Sequence, residues 1–345
     1  MLNNKVMTSS DVVSQNEPIL EVRNLRVAFH LDEGLLKAVD GVDLDVHYGK
    51  VLGIVGESGC GKSVMAQAIL RLVPHPGKVE GEIILHRRKN PQPVDIVKLN
   101  PYGTEMRAIR GAEIGMVFQE PMKAFSPIHT IGDQIMEGIL LHVTSDPAEA
   151  RQIAIETLKR VEMPNATQRM NEYPYQLSGG MRQRALIAMS LACQPSILIA
   201  DEPTTAVDVT VQSQILRLIK KLQADLGMSV IFITHDLGVI AEMAHEVAIM
   251  YLGKVVEMAS VDEIFYNPQH PYTRALLGCI PEVGCKPHTL LNTIEGTVPV
   301  PINLRPGCGF ASRCEFVRPE CKEPEGPPMV VVSPGHQVRC VLYRQ

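Results

Sequence analysis

Val51-Leu52-Gly53-Ile54-Val55-Gly56-Glu57-Ser58-Gly59-Cys60-Gly61-Lys62-Ser63 reads as a buried strand that runs into a phosphate-binding loop. Gly56, Gly61, Lys62 and Ser63 fill the fixed positions of G-x-x-x-x-G-K-[ST]. The glycines let the backbone curl until its N–H groups point inward at phosphate oxygens. Lys62 supplies a point charge for the β- and γ-phosphates, and the Ser63 hydroxyl can complete the coordination of Mg²⁺. Residues 64–70, beginning at Val64, continue as a helix. Its N-terminus would face the anion with backbone donors and the positive dipole end. Strand, loop and helix in this order predict an α/β nucleotide-binding domain with a place for Mg²⁺.

Composition sets the frame. The chain has 345 residues, 45% of them hydrophobic and 21% charged, which is room for one large domain and a smaller one. No apolar run reaches the roughly 18 residues that a membrane span needs. Residues 1–18 are polar, without a basic-then-apolar secretory pattern, and are expected to form a loose tail of a cytoplasmic protein. A net charge of −5 argues against nucleic acid as the main partner. Eight cysteines in such a compartment are expected as thiols, so a cluster of them raises the question of a metal.

Along the chain, Leu20, Val22, Leu25, Val27 and Phe29, then Val42, Leu44 and Val46, alternate with polar residues. With residues 81–85 they predict an antiparallel β subdomain. Phe29 packs within it, where an aromatic could also lean on an adenine ring. Residues 114–118 form a short apolar strand that leads to Gln119, and Pro121 is expected to stop regular structure. Ile131, Ile135 and Ile139 mark one helix. A second is capped by Asp146, opened by Pro147, and buries Ala150, Ala154, Leu158 and Val161. A helical subdomain over about 125–178 follows. Leu177-Ser178-Gly179-Gly180-Met181-Arg182-Gln183 then opens a helix with a second set of anion donors, for which one nucleotide in the same subunit has no obvious use. Residues 197–200 are apolar on both faces, as in a central parallel strand, and end in Asp201 and Glu202. Asp201 suits the Mg²⁺ side of a site. Glu202 could polarise a water for attack on the γ-phosphate. Asp208 caps the next helix, residues 230–233 deliver His235 to the same edge, and 247–251 with 254–258 are expected as a hairpin that closes the sheet.

Taken together, residues 20–260 resemble the nucleotide-binding subunits of ATP-binding cassette (ABC) transporters. The resemblance implies a P-loop NTPase cassette whose subunits pair head to tail, each ATP lying between one phosphate loop and the partner's signature. In its terms Phe29, Gly56, Glu57, Ser58, Gly59, Cys60, Gly61, Lys62, Ser63 and Val64 bind ATP. Leu177, Ser178, Gly179, Gly180, Met181 and Gln183 meet the ATP of the partner subunit. Asp208 belongs to the dimer loop. Ser63, Gln119 and Asp201 attend Mg²⁺, Glu202 is the catalytic base, His235 contacts the γ-phosphate, and Gln119 also senses the transmembrane partner.

A narrower resemblance rests on Gly56-Glu57-Ser58-Gly59, on residues 117–122, and on Asn267-Pro268-Gln269-His270-Pro271-Tyr272-Thr273-Arg274. These are similar to the oligopeptide/dipeptide/nickel importer ATPases. The implied function is ATP hydrolysis driving uptake of di- and oligopeptides from the cytoplasmic face of the cell membrane. The implied partners are a second ATPase subunit, the same chain or another, two membrane permease subunits and an extracytoplasmic binding protein. Nickel or an oligosaccharide stays open as cargo, because the cassette does not touch it. A soluble ABC ATPase of translation or DNA repair lacks support, since neither a second cassette nor a long coiled-coil insertion is present. Intact Lys62, Asp201, Glu202 and His235 speak against a binding module with spent catalysis.

Residues 261–345 form the remaining unit, a small Cys-containing C-terminal domain. Ser260 and Glu263 are expected to form a capping box at its start, and 281–334 to be mostly loops that need an internal staple. Cys308, Cys314, Cys321 and Cys340 offer a four-thiolate metal site whose spacing does not choose between zinc and iron-sulfur. The family resemblance implies a [4Fe-4S] cluster, with Zn²⁺ as the alternative and Cys279 and Cys285 as ordinary thiols. Cys60, near a helix N-terminus, is expected to be moderately reactive.

Overall fold

The computed structural model of the chain describes residues 17–87, 92–205, 207–280 and 293–344. The tail residues 1–16, Cys285 and the first part of the expected loop region lie outside them. β1 (Pro18–Leu31) and β2 (Gly34–His47) form a long antiparallel hairpin. β3 (Val51–Val55) enters the phosphate loop, α1 (Lys62–Ile69) leaves it, and β4 (Lys78–Leu85) and β5 (Val94–Asp95) complete a four-stranded sheet of order β2-β1-β4-β5. α2 (Thr104–Ile109) leads to β6 (Ile114–Val117). The helical region holds α3 (Pro121–Ala124), α4 (Ile131–His142), α5 (Pro147–Arg160), α6 (Ala166–Arg169) and α7 (Gly179–Leu191). β7 (Ile197–Asp201), α8 (Val209–Leu226), β8 (Ser229–Thr234), α9 (Leu237–Met243), β9 (Glu246–Tyr251) and β10 (Lys254–Ser260) follow. The C-terminal segment contributes α10 (Val261–Tyr266), α11 (Pro271–Gly278), β11 (Val330–Ser333) and β12 (His336–Val338).

The main sheet has the order β11-β12-β10-β9-β3-β8-β7-β6, with β9, β3, β8, β7 and β6 parallel. Its central strands are apolar on both faces because both faces are covered. Leu52, Ile54, Ile197, Ile199, Ile231 and Ile233 join a core shared with the antiparallel sheet. Val51, Val55, Leu198, Ala200, Val230 and Phe232 point the other way, into a core shared with α4, α5, α7 and α8. Each such side chain contributes roughly 1.5–3 kcal/mol on leaving water. Across this double core the carboxyl ends of the parallel strands come into line, Val55 opposite Thr234, Asp201 opposite Ile233 and Val117 opposite Ala200. Ligand-binding groups therefore gather along one edge.

Several expectations change in detail. Pro121 does not stop structure but opens α3 at its first turn, where its missing N–H costs nothing. Phe118 has left the strand and is exposed. The hairpin of β9 and β10 does not close the sheet, since β12 pairs with β10 at Glu257–Val338 and Met258–Gln337, and β11 pairs with β12. Periodicity missed these two strands because they are short. Only half of the Ser260 capping box forms: Ser260 Oγ accepts from Glu263 N–H, while the Glu263 carboxylate accepts from Asn267 and faces His336.

The [4Fe-4S] cluster expected at Cys308, Cys314, Cys321 and Cys340 does not stand, nor does its zinc alternative. Among the described residues no group of three or more His, Cys, Asp or Glu side chains could hold a metal ion. The four thiols border a cavity of only about 10 Å³, the lower limit for one water. Burial pushes Cys308 up to about 11 and also raises Cys314 and Cys340, which favours the thiol over the thiolate that a metal needs. The staple is instead a small aromatic core. The Tyr251, Tyr272 and Phe310 rings lie 4.7 to 5.4 Å apart, within the range of favourable ring pairs. Next to it, fully buried Glu257 accepts from the backbone N–H groups of Gln269 and His270 at 2.6 and 2.9 Å and lies 2.8 Å from His336 Nε2, so its desolvation is offset.

Candidate active site

The phosphate loop keeps its shape because its glycines have no alternative. Gly61 has φ +101°, and a Cβ there would lie 2.1 Å from the Ala38 carbonyl oxygen; at Gly56 it would lie 2.2 Å from that of Met250. Lys62, almost wholly buried, donates from Nζ to the carbonyls of Gly56 (2.7 Å) and Glu57 (3.1 Å), which holds the ammonium inside the curl. Ser63 Oγ donates to Asp201 Oδ1 at 3.1 Å, joining the loop to the end of β7. Two hard oxygen donors side by side suit Mg²⁺, and Gln119 reaches the same group through Glu202. The residues present thus fit a Mg²⁺ ion. Burial raises Asp201, helped by the Glu202 charge and opposed by Ser63 and Lys62.

Glu202 sits one residue past the strand at φ +44°, a strained conformation for a residue with a side chain. The strain is held by backbone bonds, Glu202 N–H to Ile233 O and Thr205 N–H to Glu202 O. It also aims the carboxylate. Oε2 accepts from Gln119 Nε2 and from Thr205 Oγ1, both at 2.9 Å, and Oε1 lies 3.2 Å from His235 Nδ1. Burial acts to raise this carboxyl, but the hydrogen bonds from His235 and Thr205, with the charges of His235 and Lys62, hold it below the usual range. Glu202 is thus an ionised acceptor at neutral pH, and His235 Nδ1 carries the hydrogen toward it.

Lys62, Ser63, Asp201, Glu202, Gln119 and His235, carried by the ends of four parallel strands, therefore lie along one edge, with Ser63 bonded to Asp201 and with Gln119 and His235 bonded to the adjoining Glu202. The signature keeps to itself. Ser178 caps α7 by accepting from Met181 N–H, and Asp208 caps α8 by accepting from Val211 N–H. The two helix starts abut, since a Cβ on Gly180 would lie 2.9 Å from Val211 Cγ1. Ser178 and Gly179 are exposed, Gly180 and Met181 half-buried, whereas Leu177 and Gln183 are buried in the helical core. Phe29 is partly buried over the turn at Gly77. Glu57, Ser58, Gly59 and Val64 lie on the loop and its helix as expected. Cys60 is buried, and burial raises its thiol against the pull of Lys62, contrary to the reactivity expected of it. Sequence reading missed Thr205, which has no motif spacing of its own, and the roles of Tyr272 and Arg313, which reach the loop from far along the chain.

Loop lysine, two strand-end carboxylates and a switch histidine on one edge of a doubly covered sheet define an ATP-hydrolysing enzyme of the ABC class. Residues 39–205 match the family profile described as ABC transporter, and residues 256–321 that described as Oligopeptide/dipeptide transporter, C-terminal region. The chain is 46% identical to a putative peptide import ATP-binding protein of Brucella melitensis biotype 1, covering 95% of this chain and 98% of that one. It is also 46% identical to the dipeptide transport ATP-binding protein DppD of Bacillus subtilis, over 95% and 96% of the two chains. Among solved structures, the dimeric bacterial ABC transporter cassette MJ0796 is similar with a TM-score of 0.61 and 30% identity, over 70% of this chain and 98% of that one. The chain belongs to the ATP-binding subunits of oligopeptide/dipeptide ABC transporters.

Proposed function

We propose that this subunit powers uptake of di- and oligopeptides, docked at the cytoplasmic face of the cell membrane. Its partners on this reading are two permease subunits, a second ATPase subunit and an extracytoplasmic binding protein. The observation that carries the reading is the hydrogen-bonded group around Glu202, together with a C-terminal segment that matches the peptide-transporter family. No helix among the described residues is long and apolar enough to cross a membrane, which accords with a peripheral subunit. We assign residues 19–260 to the ATPase domain, 125–178 to its helical subdomain, and 261–345 to an extension that continues the same sheet.

In this site Lys62 and the loop N–H groups bind the triphosphate of ATP, with Phe29 against the adenine. Ser63, Asp201 and Gln119 would hold Mg²⁺, which neutralises charge between the β- and γ-phosphates when bound. Glu202 orients the attacking water and accepts its proton. His235 steadies that carboxylate and faces the γ-phosphate. Exposed Ser178 and Gly179 with half-buried Gly180 and Met181 form the donor set for the partner subunit's ATP, with buried Leu177 and Gln183 supporting it and Asp208 at the contact between subunits. Uptake of a labelled dipeptide by cells carrying Lys62→Ala in this chain tests the proposal. Uptake should fall to background, and normal uptake would refute it.

A further inference from the structure

The residue that follows the first glycine of the phosphate loop is acidic, which is a poor choice beside a triphosphate unless something neutralises it. The C-terminal segment does. Arg313 Nη1 donates to Glu57 Oε2 at 2.8 Å and Nη2 to Glu57 Oε1 at 3.1 Å, a bidentate pair across 256 residues of chain. The guanidinium is held before it meets the carboxylate. Nε donates to Glu295 O at 2.9 Å, further bonds run to Tyr251 Oη and Ile294 O, and the group lies about 6 Å from the ring centres of Tyr251 and Phe310. Its side chain is only 5% exposed, against 28% for Glu57. Glu57 is gripped at its other ends as well. Its N–H donates to Tyr272 Oη at 3.0 Å, and its carbonyl accepts from Lys62 Nζ. The extension therefore holds both the backbone and the charge of the loop residue that orients Lys62.

We propose that Arg313 is a positioning residue for ATP hydrolysis: acting through Glu57, it completes the phosphate loop from the C-terminal segment of the same chain. It does so by cancelling the Glu57 charge and fixing the loop in the shape that receives triphosphate. A rigid bidentate fork explains why arginine stands here, since a lysine offers one point charge and no planar match to the carboxylate.

The proposal rests on the assignment of Lys62 and its loop to ATP, and the experiment separates the two. Steady-state turnover of the assembled transporter is measured against MgATP concentration. Arg313→Gln leaves an uncompensated carboxylate on the loop, and KM should rise about tenfold, equivalent to about 1.4 kcal/mol, with kcat within about threefold. Adding Glu57→Gln removes the charge that Arg313 cancels, and KM of the double variant should fall about threefold or more below that of Arg313→Gln alone. Should Arg313→Gln not fold, Glu57→Asp replaces it. That change keeps the charge but withdraws it from the fork, so KM should be about threefold or more higher in Glu57→Asp than in Glu57→Gln. An unchanged KM in Arg313→Gln, a double variant as weak as the single, or equal KM in Glu57→Asp and Glu57→Gln overturns the proposal. Unchanged MgATP binding by Lys62→Ala overturns the site assignment instead.

Discussion

Glu202→Gln removes one charge and keeps the length and planarity of the side chain. Glu202 Oε2 is shared by Gln119 and Thr205, while Oε1 faces a single histidine nitrogen. An amide that turns its NH₂ toward His235 preserves both Oε2 bonds, and the imidazole accommodates it by presenting its other tautomer. The Lys62 bonds to Gly56 and Glu57 do not involve Glu202, so the phosphate cradle stays intact. What is lost is the ionised carboxylate beside the attacking water. General bases supply about 10²–10⁴-fold in rate, or roughly 3–5 kcal/mol of barrier. We expect kcat to fall by at least about 100-fold while the affinity for MgATP stays within about threefold. Phosphate release by the assembled transporter gives the first quantity and equilibrium binding of MgATP to the full chain the second. Turnover within about fivefold of the unmodified protein would remove Glu202 from the role of base. A binding loss as large as the rate loss would show that the loop, not the water, depends on it.

Gly61→Ala forces a Cβ to 2.1 Å from the Ala38 carbonyl at φ +101° and should abolish MgATP binding, which titration of the soluble fraction would detect. Cys60 should resist a maleimide in the folded protein and label after denaturation, read by mass spectrometry; rapid native labelling would contradict its burial. Burial lowers His270 to about 4, so it is neutral in the fold and its Nδ1 accepts from Tyr272 N–H to cap α11. Because the folded value lies below the unfolded one, the contribution of this residue is fully present above about pH 6.5, and up to about 3 kcal/mol of it is lost as pH falls toward 4. His270→Asn keeps a capping acceptor and should flatten that part of the urea-unfolding profile between pH 4.5 and 7. Thr130→Ala deletes one side of the capping box of α4 and should cost about 1 kcal/mol in the same assay.

The sequence by itself determined the parallel core and the ATP-binding edge. The motif from Gly56 to Ser63 has a mechanical reason at each fixed position, and apolar runs that end in Asp201, Glu202 and His235 signal buried strands whose carboxyl ends carry ligand groups. Local pattern also gave the caps at Asp146 and Asp208, since a cap is decided within four residues. Only the tertiary structure decided which groups touch Glu202. Gln119 and His235 reach it from the loops after β6 and β8, Thr205 folds back on it from its own loop, and the φ of +44° that aims it depends on the neighbouring strand. The C-terminal segment was the least legible part. Four cysteines in a Pro-rich stretch suggested a metal staple, whereas the chain is held by a three-ring core, by β12 on β10 and by Arg313 on Glu57. These are contacts between residues as much as 256 positions apart. Periodicity and spacing report only what a residue does with its near neighbours, and a carboxylate paired across the fold leaves no trace in either.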